Sequence, residues 1–240
     1  MMEGVAVNVF RFFLLAFLMA QPLAAQGKSR HDLWENQLQK FVSKDGKLNY
    51  KAWKQERSAL DNYIDILAEN PPQKNGSKND LLAYWINAYN ALTVQLILDH
   101  YPVESIKDIS KPWETPLFTA GETDYTLGDI EHEILRKQDE NRIHFAINCA
   151  SASCPNLYRY AFKGAKLEYQ LETVTRQFFH DPSKNIFESD KIQLSKILLW
   201  FIMDFGFKKE KLAFLSRYSP VPLDSNVRIR YLPYDWSLNE

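Results

Sequence analysis

Cysteine is nearly missing from this chain: 240 residues contain two, Cys149 and Cys154. That excludes a four-cysteine zinc site and a cysteine-rich secreted mini-fold. Glycine is scarce as well, with 8. No Gly-x-Gly-x-x-Gly, no phosphate-cradling loop ending in Gly-Lys-Ser/Thr and no Gly-x-Ser-x-Gly occurs, which argues against a nucleotide enzyme and gives no cofactor to expect. An excess of either charge is lacking: Lys+Arg is 29 against Asp+Glu 30, a formal net charge of −1. Without surplus cations to neutralise phosphates, nucleic acid is not an expected partner. The five histidines, His31, His100, His132, His144 and His180, show no metal-ligand spacing, so no metal is expected either. What remains is globular composition, 45% hydrophobic and 25% charged. Aromatics are plentiful, with 15 Phe, 12 Tyr and 6 Trp, enough for a large aromatic core or a groove.

The longest unbroken apolar run near the start is Phe12–Ala20, nine residues behind Arg11. Small and helix-breaking residues, Gln21 to Ala25, follow it. This is the order of a secretory signal, expected to be cut near Ala25. The run is shorter than the ~20 residues a membrane-spanning helix needs. No cysteine follows it, which excludes lipoprotein anchoring. The expectation is a signal over residues 1–25, a secreted or periplasmic mature chain without a stable membrane span, and one domain over 26–240.

Periodicity then outlines the elements. Leu33, Trp34, Leu38, Phe41 and Val42 recur at helical steps, and so do Trp53, Leu60, Tyr63, Ile64 and Leu67. Asp80 to Asp99 is the most apolar helix, with Asp80 as its N-cap and Tyr101-Pro102 as its stop. Pro112 to Tyr125 reads as a hairpin turning at Ala120-Gly121-Glu122. Thr126 and Asp129 form a capping box with Asp in place of Glu, opening a helix to about Lys137. Arg142 to Cys149 alternates and reads as a strand. Leu167 to Phe179 is an amphipathic helix, Lys191 to Leu194 a strand, and Ser195 caps a helix that Gly206 stops. The tail from Tyr218 wraps the surface. Strands dispersed among helices point to an α+β fold, a single helix-rich domain with a small sheet.

Three stretches carry chemistry. In the apolar helix, Asn87 and Asn90 share a face, with Tyr84 near them. Buried amides need partners, so they either tie down a loop or bind a substrate, with Tyr84, in a cleft. On the expected strand, Ile143, Phe145, Ile147 and Cys149 share the core face, while His144, Ala146 and Asn148 share the other. His144 with Asn148 would make a base and its helper. In the loop beyond, Pro155 is the residue type favoured at a first helical position. Cys154 would then sit at a helix N-cap, where the helix field lowers a thiol pKa. Cys149 would be a buried small hydrophobe. A Cys149–Cys154 disulfide is the competing arrangement, and it would silence both thiols. Glu131, His132 and Glu133 are consecutive on a helix and would fan apart.

Four motifs in order resemble the domain-of-unknown-function family numbered five hundred and forty-seven, found in bacterial envelope proteins and plant leucine-zipper proteins. They are WINAYNAL at 85–92, TLGDIEHEILR at 126–136, IHFAINCASASCPNL at 143–157 and LSKILLWFIMDFG at 194–206. The resemblance covers most of residues 75–206 and implies a fold unit without an established reaction. Ala150 and Ala152 stand in the Cys-to-Cys loop, where the family often has Gly first, which makes a strained backbone there less expected. A distant papain- or transglutaminase-like architecture is an analogy of fold only, because those folds place a cysteine at the start of a central helix and a histidine on a later strand.

Two functions follow as expectations. The first, slightly favoured because no complete triad can be assembled from spacing, is a non-catalytic binding or scaffold domain of the envelope. Its aromatic cleft would hold a peptide or glycan. The second is a thiol-dependent hydrolase or acyl transferase, with Cys154 as nucleophile, His144 as base and Asn148, Asn87 or Asn90 as orienting groups.

Overall fold

Helical periodicity becomes helix in four places between residues 32 and 100. The computed structural model describes Met1 and residues 29–73, 75–188 and 190–240; the expected signal segment, Met1 apart, lies outside the described residues. Helix α1 (Asp32–Phe41) turns Trp34, Leu38 and Phe41 inward. The single helix expected next is two, α2 (Tyr50–Gln55) and α3 (Ser58–Glu69). The Asn49 side chain caps α2 by accepting from Ala52 N at 3.0 Å. Between the two helices, Arg57 reaches Asp61 at 3.0 Å and Asp99 at 2.6 Å. Trp34 stacks on Trp53 and on Tyr63, at 5.7 and 5.6 Å between centroids.

Helix α4 (Lys78–His100) is the axis of the molecule. Its N-cap is Ser77 rather than Asp80, because Ser77 Oγ accepts from Asp80 N at 3.1 Å. Every residue from Leu82 to Val94 is buried, so the helix is apolar all round. By length and apolarity it would pass for a membrane span, but 89% of its most apolar window is packed inside the protein.

The hairpin forms as expected, β1 (Phe118–Ala120) pairing antiparallel with β2 (Thr123–Tyr125). The Thr126 capping box forms too: Asp129 N donates to Thr126 Oγ1 at 2.9 Å, and Thr126 N donates back to the Asp129 carboxylate at 2.9 Å. The segment it opens, Asp129–Leu135, is π-helical rather than α-helical. The expected strand over Arg142–Cys149 does not exist. Asn141–Phe145 is a 3₁₀ turn in which Arg142 N donates to the Glu140 side chain at 3.2 Å, and irregular chain follows. The alternation misled because Arg142 through Asn148 are all buried, so neither set of residues faces solvent.

Helix α5 (Leu167–His180) precedes β3 (Ile186–Phe187) and β4 (Lys191–Leu194), an antiparallel pair. The helix expected from Ser195 is interrupted at Phe201, giving α6 (Ile197–Trp200) and α7 (Ile202–Phe205). Gly206, at φ +73°, ends it. After α8 (Lys208–Leu215), β5 (Arg228–Tyr231) joins β4 in parallel. The result is an α+β domain, helix-rich with two small sheets. A papain-like arrangement needs a thiol at the start of the central helix and a histidine on a strand, and this chain has neither.

Candidate functional site

A cavity of about 260 Å³ lies between α4, the π-helical segment, the cysteine loop, α6 and the C-terminal tail. Tyr89, Glu131, His132, His144, Cys149 and Cys154 form its polar lining, and Trp113, Trp200, Phe201 and Trp236 much of its apolar wall. Tyr234 closes it from the tail.

The cysteine loop is held from every side. Asn90 on α4 accepts from Asn148 N at 2.8 Å and donates to Ala146 O at 2.9 Å. Asn148 donates to Pro155 O at 2.7 Å, and its Oδ1 accepts from Ala150 N at 2.8 Å. Lys184, itself buried, donates to Ala152 O. The tail straps the loop from outside: Ala152 N donates to Ser237 O at 2.7 Å, and Asp235 N to Ser153 Oγ at 2.9 Å. These bonds hold Ala150 at φ +59°, a left-handed conformation rare for a residue with a Cβ. Alanine in place of glycine therefore does not relieve the backbone here; the strain is present, and it sits between the two cysteines.

Pro155 starts no helix. Residues 155–158 are irregular, so Cys154 gains no helix-end field. The two thiols have exchanged the roles expected of them. Both are free in this structure; Cys149 is partly exposed and Cys154 is buried behind it. Their sulfurs are 2.7 Å apart. Cys149 Sγ also lies 3.1 Å from Ser151 Oγ and 3.3 Å from the Tyr234 hydroxyl. The hydrogen bond from Cys154, with smaller help from Ser151 and Tyr234, lowers the Cys149 thiol pKa against the opposing effect of burial. Burial and the neighbouring Cys149 charge push the Cys154 thiol well up. The lowered pKa and the partial exposure thus fall together on Cys149, where the sequence pointed to Cys154.

His144 lines the cavity, but Asn148 is not its helper: that amide is spent on the loop. His144 Nε2 instead meets Asp204 Oδ2 at 2.6 Å, and the ring lies on Phe201 at 4.0 Å between centroids. Burial lowers the His144 pKa although Asp204 opposes this, so the contact is a neutral N–H donating to a carboxylate. Asp204 also takes both arms of Arg136, at 2.7 Å each. Burial alone would raise its carboxyl; the hydrogen bonds from His144 and Arg136 outweigh it and hold the carboxyl well below the usual range.

Asn87, Asn90 and Tyr84, expected as substrate-binding residues, line none of this cavity. Asn87 both donates to and accepts from the Phe162 backbone, at 2.8 and 2.9 Å. Tyr84 donates to Leu67 O at 2.7 Å and borders a separate recess beside His31. Both amides follow the loop-tying alternative.

Sequence reasoning missed Glu131, Asp204, Trp200 and Tyr234. Glu131 is 7% exposed, and burial first, then the Cys149 charge, raise its carboxyl pKa to about 7. Its only local signal was the surrounding motif, since a fan of side chains was expected there. Among the described residues, no group of three or more His, Cys, Asp or Glu side chains is arranged to hold a metal.

The fold and cavity define a helix-rich α+β domain built around a close pair of unequal thiols. Residues 73–179 match the family model described as "Protein of unknown function, DUF547", the family its motifs resemble. No curated protein and no solved structure matches the chain. The matched stretch holds Tyr89, Glu131, His144 and both cysteines; Asp204, Trp200 and the tail strap lie beyond it.

Proposed function

We propose that this domain is a thiol–disulfide exchange protein of the compartment outside the cytoplasm, with Cys149 as the attacking thiol and Cys154 as the resolving one. The observation that carries this reading is the asymmetric pair: sulfurs 2.7 Å apart, one thiol partly exposed to the cavity and the other buried behind it. Exchange needs those two positions. A thiolate must reach a substrate disulfide, and a second thiol must attack the mixed disulfide from within. The peptide ligand expected of the aromatic cleft then becomes a polypeptide disulfide seated against Trp200, Tyr234 and Trp236, whose rings lie 4.7 to 5.7 Å apart. Export rests on the Phe12–Ala20 segment, and an oxidising compartment supplies substrates of this class.

The chemistry balances. Cys149 thiolate attacks R–S–S–R′, forming Cys149–S–S–R and releasing R′S⁻. Cys154, after losing its proton, attacks Cys149 Sγ, closing the intramolecular disulfide and releasing RS⁻. The domain is oxidised by two electrons and the substrate is reduced to two thiols.

Mass spectrometry after incubating the reduced domain with oxidised glutathione tests this. In Cys154→Ser the adduct should accumulate on Cys149; in the native sequence it should give way to an internal disulfide. Adduct formation on Cys154, or on neither residue, removes the reading and returns the pair to a non-catalytic binding domain.

A second reading is acyl transfer by Cys149, favoured by the 2.6 Å contact of His144, which lines the same cavity, with Asp204. That dyad would hold the imidazole as a base for the thiol. Hydrolysis of thiol-reactive ester substrates that needs His144 but not Cys154 would favour it over exchange.

A further inference from the structure

The exchange reading leaves one proton unaccounted for and, among the described residues, one buried acid that makes no ion pair. Cys154 is buried, and burial, the largest influence on it, favours the protonated thiol. It cannot attack a mixed disulfide until a base takes that proton. Cys149 cannot be the base, because its sulfur is then bonded to the substrate.

Glu131 lines the same cavity as both cysteines. Among the described residues, its carboxylate receives a single hydrogen bond, from the Tyr89 hydroxyl at 3.2 Å. A buried carboxylate is ordinarily neutralised by a cation or several donors. The cation nearest in sequence is Arg136, and it is committed to Asp204 through two 2.7 Å bonds. The other titratable groups about the cavity offer no replacement. His132 and His144 are held neutral by burial, and Asp204 is an anion. Tyr89, Tyr234 and Cys154 have their acid ranges pushed up, and Cys149 is the anion that repels Glu131. The backbone supports the exception: Glu131 sits in π-helical chain, a geometry that recurs at functional sites because it re-aims side chains within a helix.

We infer that Glu131 is the proton-transfer residue of the Cys149–Cys154 couple: it takes the Cys154 proton during resolution and delivers it to the departing thiolate. The balance is closed. Cys154 S–H breaks, the Cys154–Cys149 S–S bond forms as the Cys149–S–R bond breaks, and the proton passes through the carboxyl to RS⁻. A group that takes and returns a proton works best with a pKa near the working pH, and burial, the largest cause of its shift, raises the Glu131 carboxyl toward that range. The cavity, about 260 Å³, leaves room for a water to complete the path.

This inference rests on the exchange reading, and its test separates the two. Cys149 is loaded as a mixed disulfide with glutathione, and release of glutathione is followed by rapid quenching across pH 5–10. In Glu131→Gln, which keeps the shape but cannot accept a proton, release near neutral pH should fall at least ~10-fold. General bases typically supply about 10²- to 10⁴-fold, so ~10-fold is a lenient threshold. The deficit should close at high pH, where Cys154 ionises unaided. Glu131→Asp should recover part of the rate. Tyr89→Phe removes the one hydrogen bond favouring the carboxylate and should move the rise in rate upward by about half to one pH unit. A Glu131→Gln profile that overlays the native one, with release still fast, overturns the role of Glu131 and leaves exchange standing. Failure of the native domain to release glutathone at any pH removes exchange, and with it this inference.

Discussion

The two sides of α4 treat polar groups in opposite ways. On one side, Asn87 and Asn90 are each closed by two bonds to backbone, from Phe162 and from the Ala146–Asn148 segment. On the other, Tyr89 offers one 3.2 Å hydrogen bond to Glu131, which makes no ion pair among the described residues. Successive helix positions are 100° apart, so residues 87 and 90 fall on one side and 89 away from both. The first side uses polarity to fix loops. The second leaves a carboxyl with a single side-chain partner at a cavity, where protonation states shift. A buried polar group on a central helix is thus not in itself a sign of a site; incomplete pairing is.

Mutations should separate the two sides. The largest expected effect is on the paired side. Asn87→Leu strips partners from both Phe162 N and Phe162 O, and should destabilise by on the order of 2–4 kcal/mol in urea denaturation. Cys149 alkylation should keep its pH dependence. A midpoint unchanged in Asn87→Leu would show that the two bonds carry no stability.

The next effect is on the unpaired side, and it depends on pH. The Glu131 carboxyl has an ordinary value of 4.5 and is raised to about 7 in the folded chain. Between those values only the folded state keeps the proton, so this group's contribution to stability falls as pH rises and is lost above about 7. Buried His31, lowered to about 4, acts in the opposite direction, so the informative quantity is the native-minus-variant difference. Relative to pH 4, Glu131→Gln should gain on the order of 3 kcal/mol over the native chain by pH 8. A flat difference across that range would contradict a carboxyl buried without a counter-charge.

A smaller effect should come from Tyr234→Phe. It removes one of the hydroxyls within reach of Cys149 Sγ, at 3.3 Å, while keeping the ring. Losing about one hydrogen bond should slow Cys149 alkylation at neutral pH by roughly 2- to 10-fold, with little change in stability. A rate unaffected by the substitution would detach the tail from the thiol.

How much of this could be read from sequence follows from the range of the interactions. The apolar α4, the hairpin turn at Gly121 and the Thr126–Asp129 box are local patterns, and each appeared within a residue or two of its expected place. The expected strand through His144 failed because alternation reports a face only when the other face meets water, and here both are buried. The helix after Pro155 failed because proline at a first position permits a helix without requiring one; the Pro155 carbonyl instead accepts from Asn148. Cys149, Cys154 and His144 were read as one neighbourhood because they are close in sequence. Their working partners were not readable. Asp204 is 60 residues from His144, and Tyr234 is 85 from Cys149. Glu131 was hidden by the assumption of an ordinary α-helix.

The central claim is that the partly exposed Cys149, and not Cys154, is the reactive thiol. The most direct measurement is residue-resolved alkylation of the fully reduced domain with iodoacetamide between pH 5 and 10, read by peptide mass spectrometry. The account predicts labelling of Cys149 that is already rapid near neutral pH, with Cys154 protected until the chain unfolds. Preferential labelling of Cys154, or labelling of Cys149 only above the ~8.5 of an ordinary thiol, would contradict it.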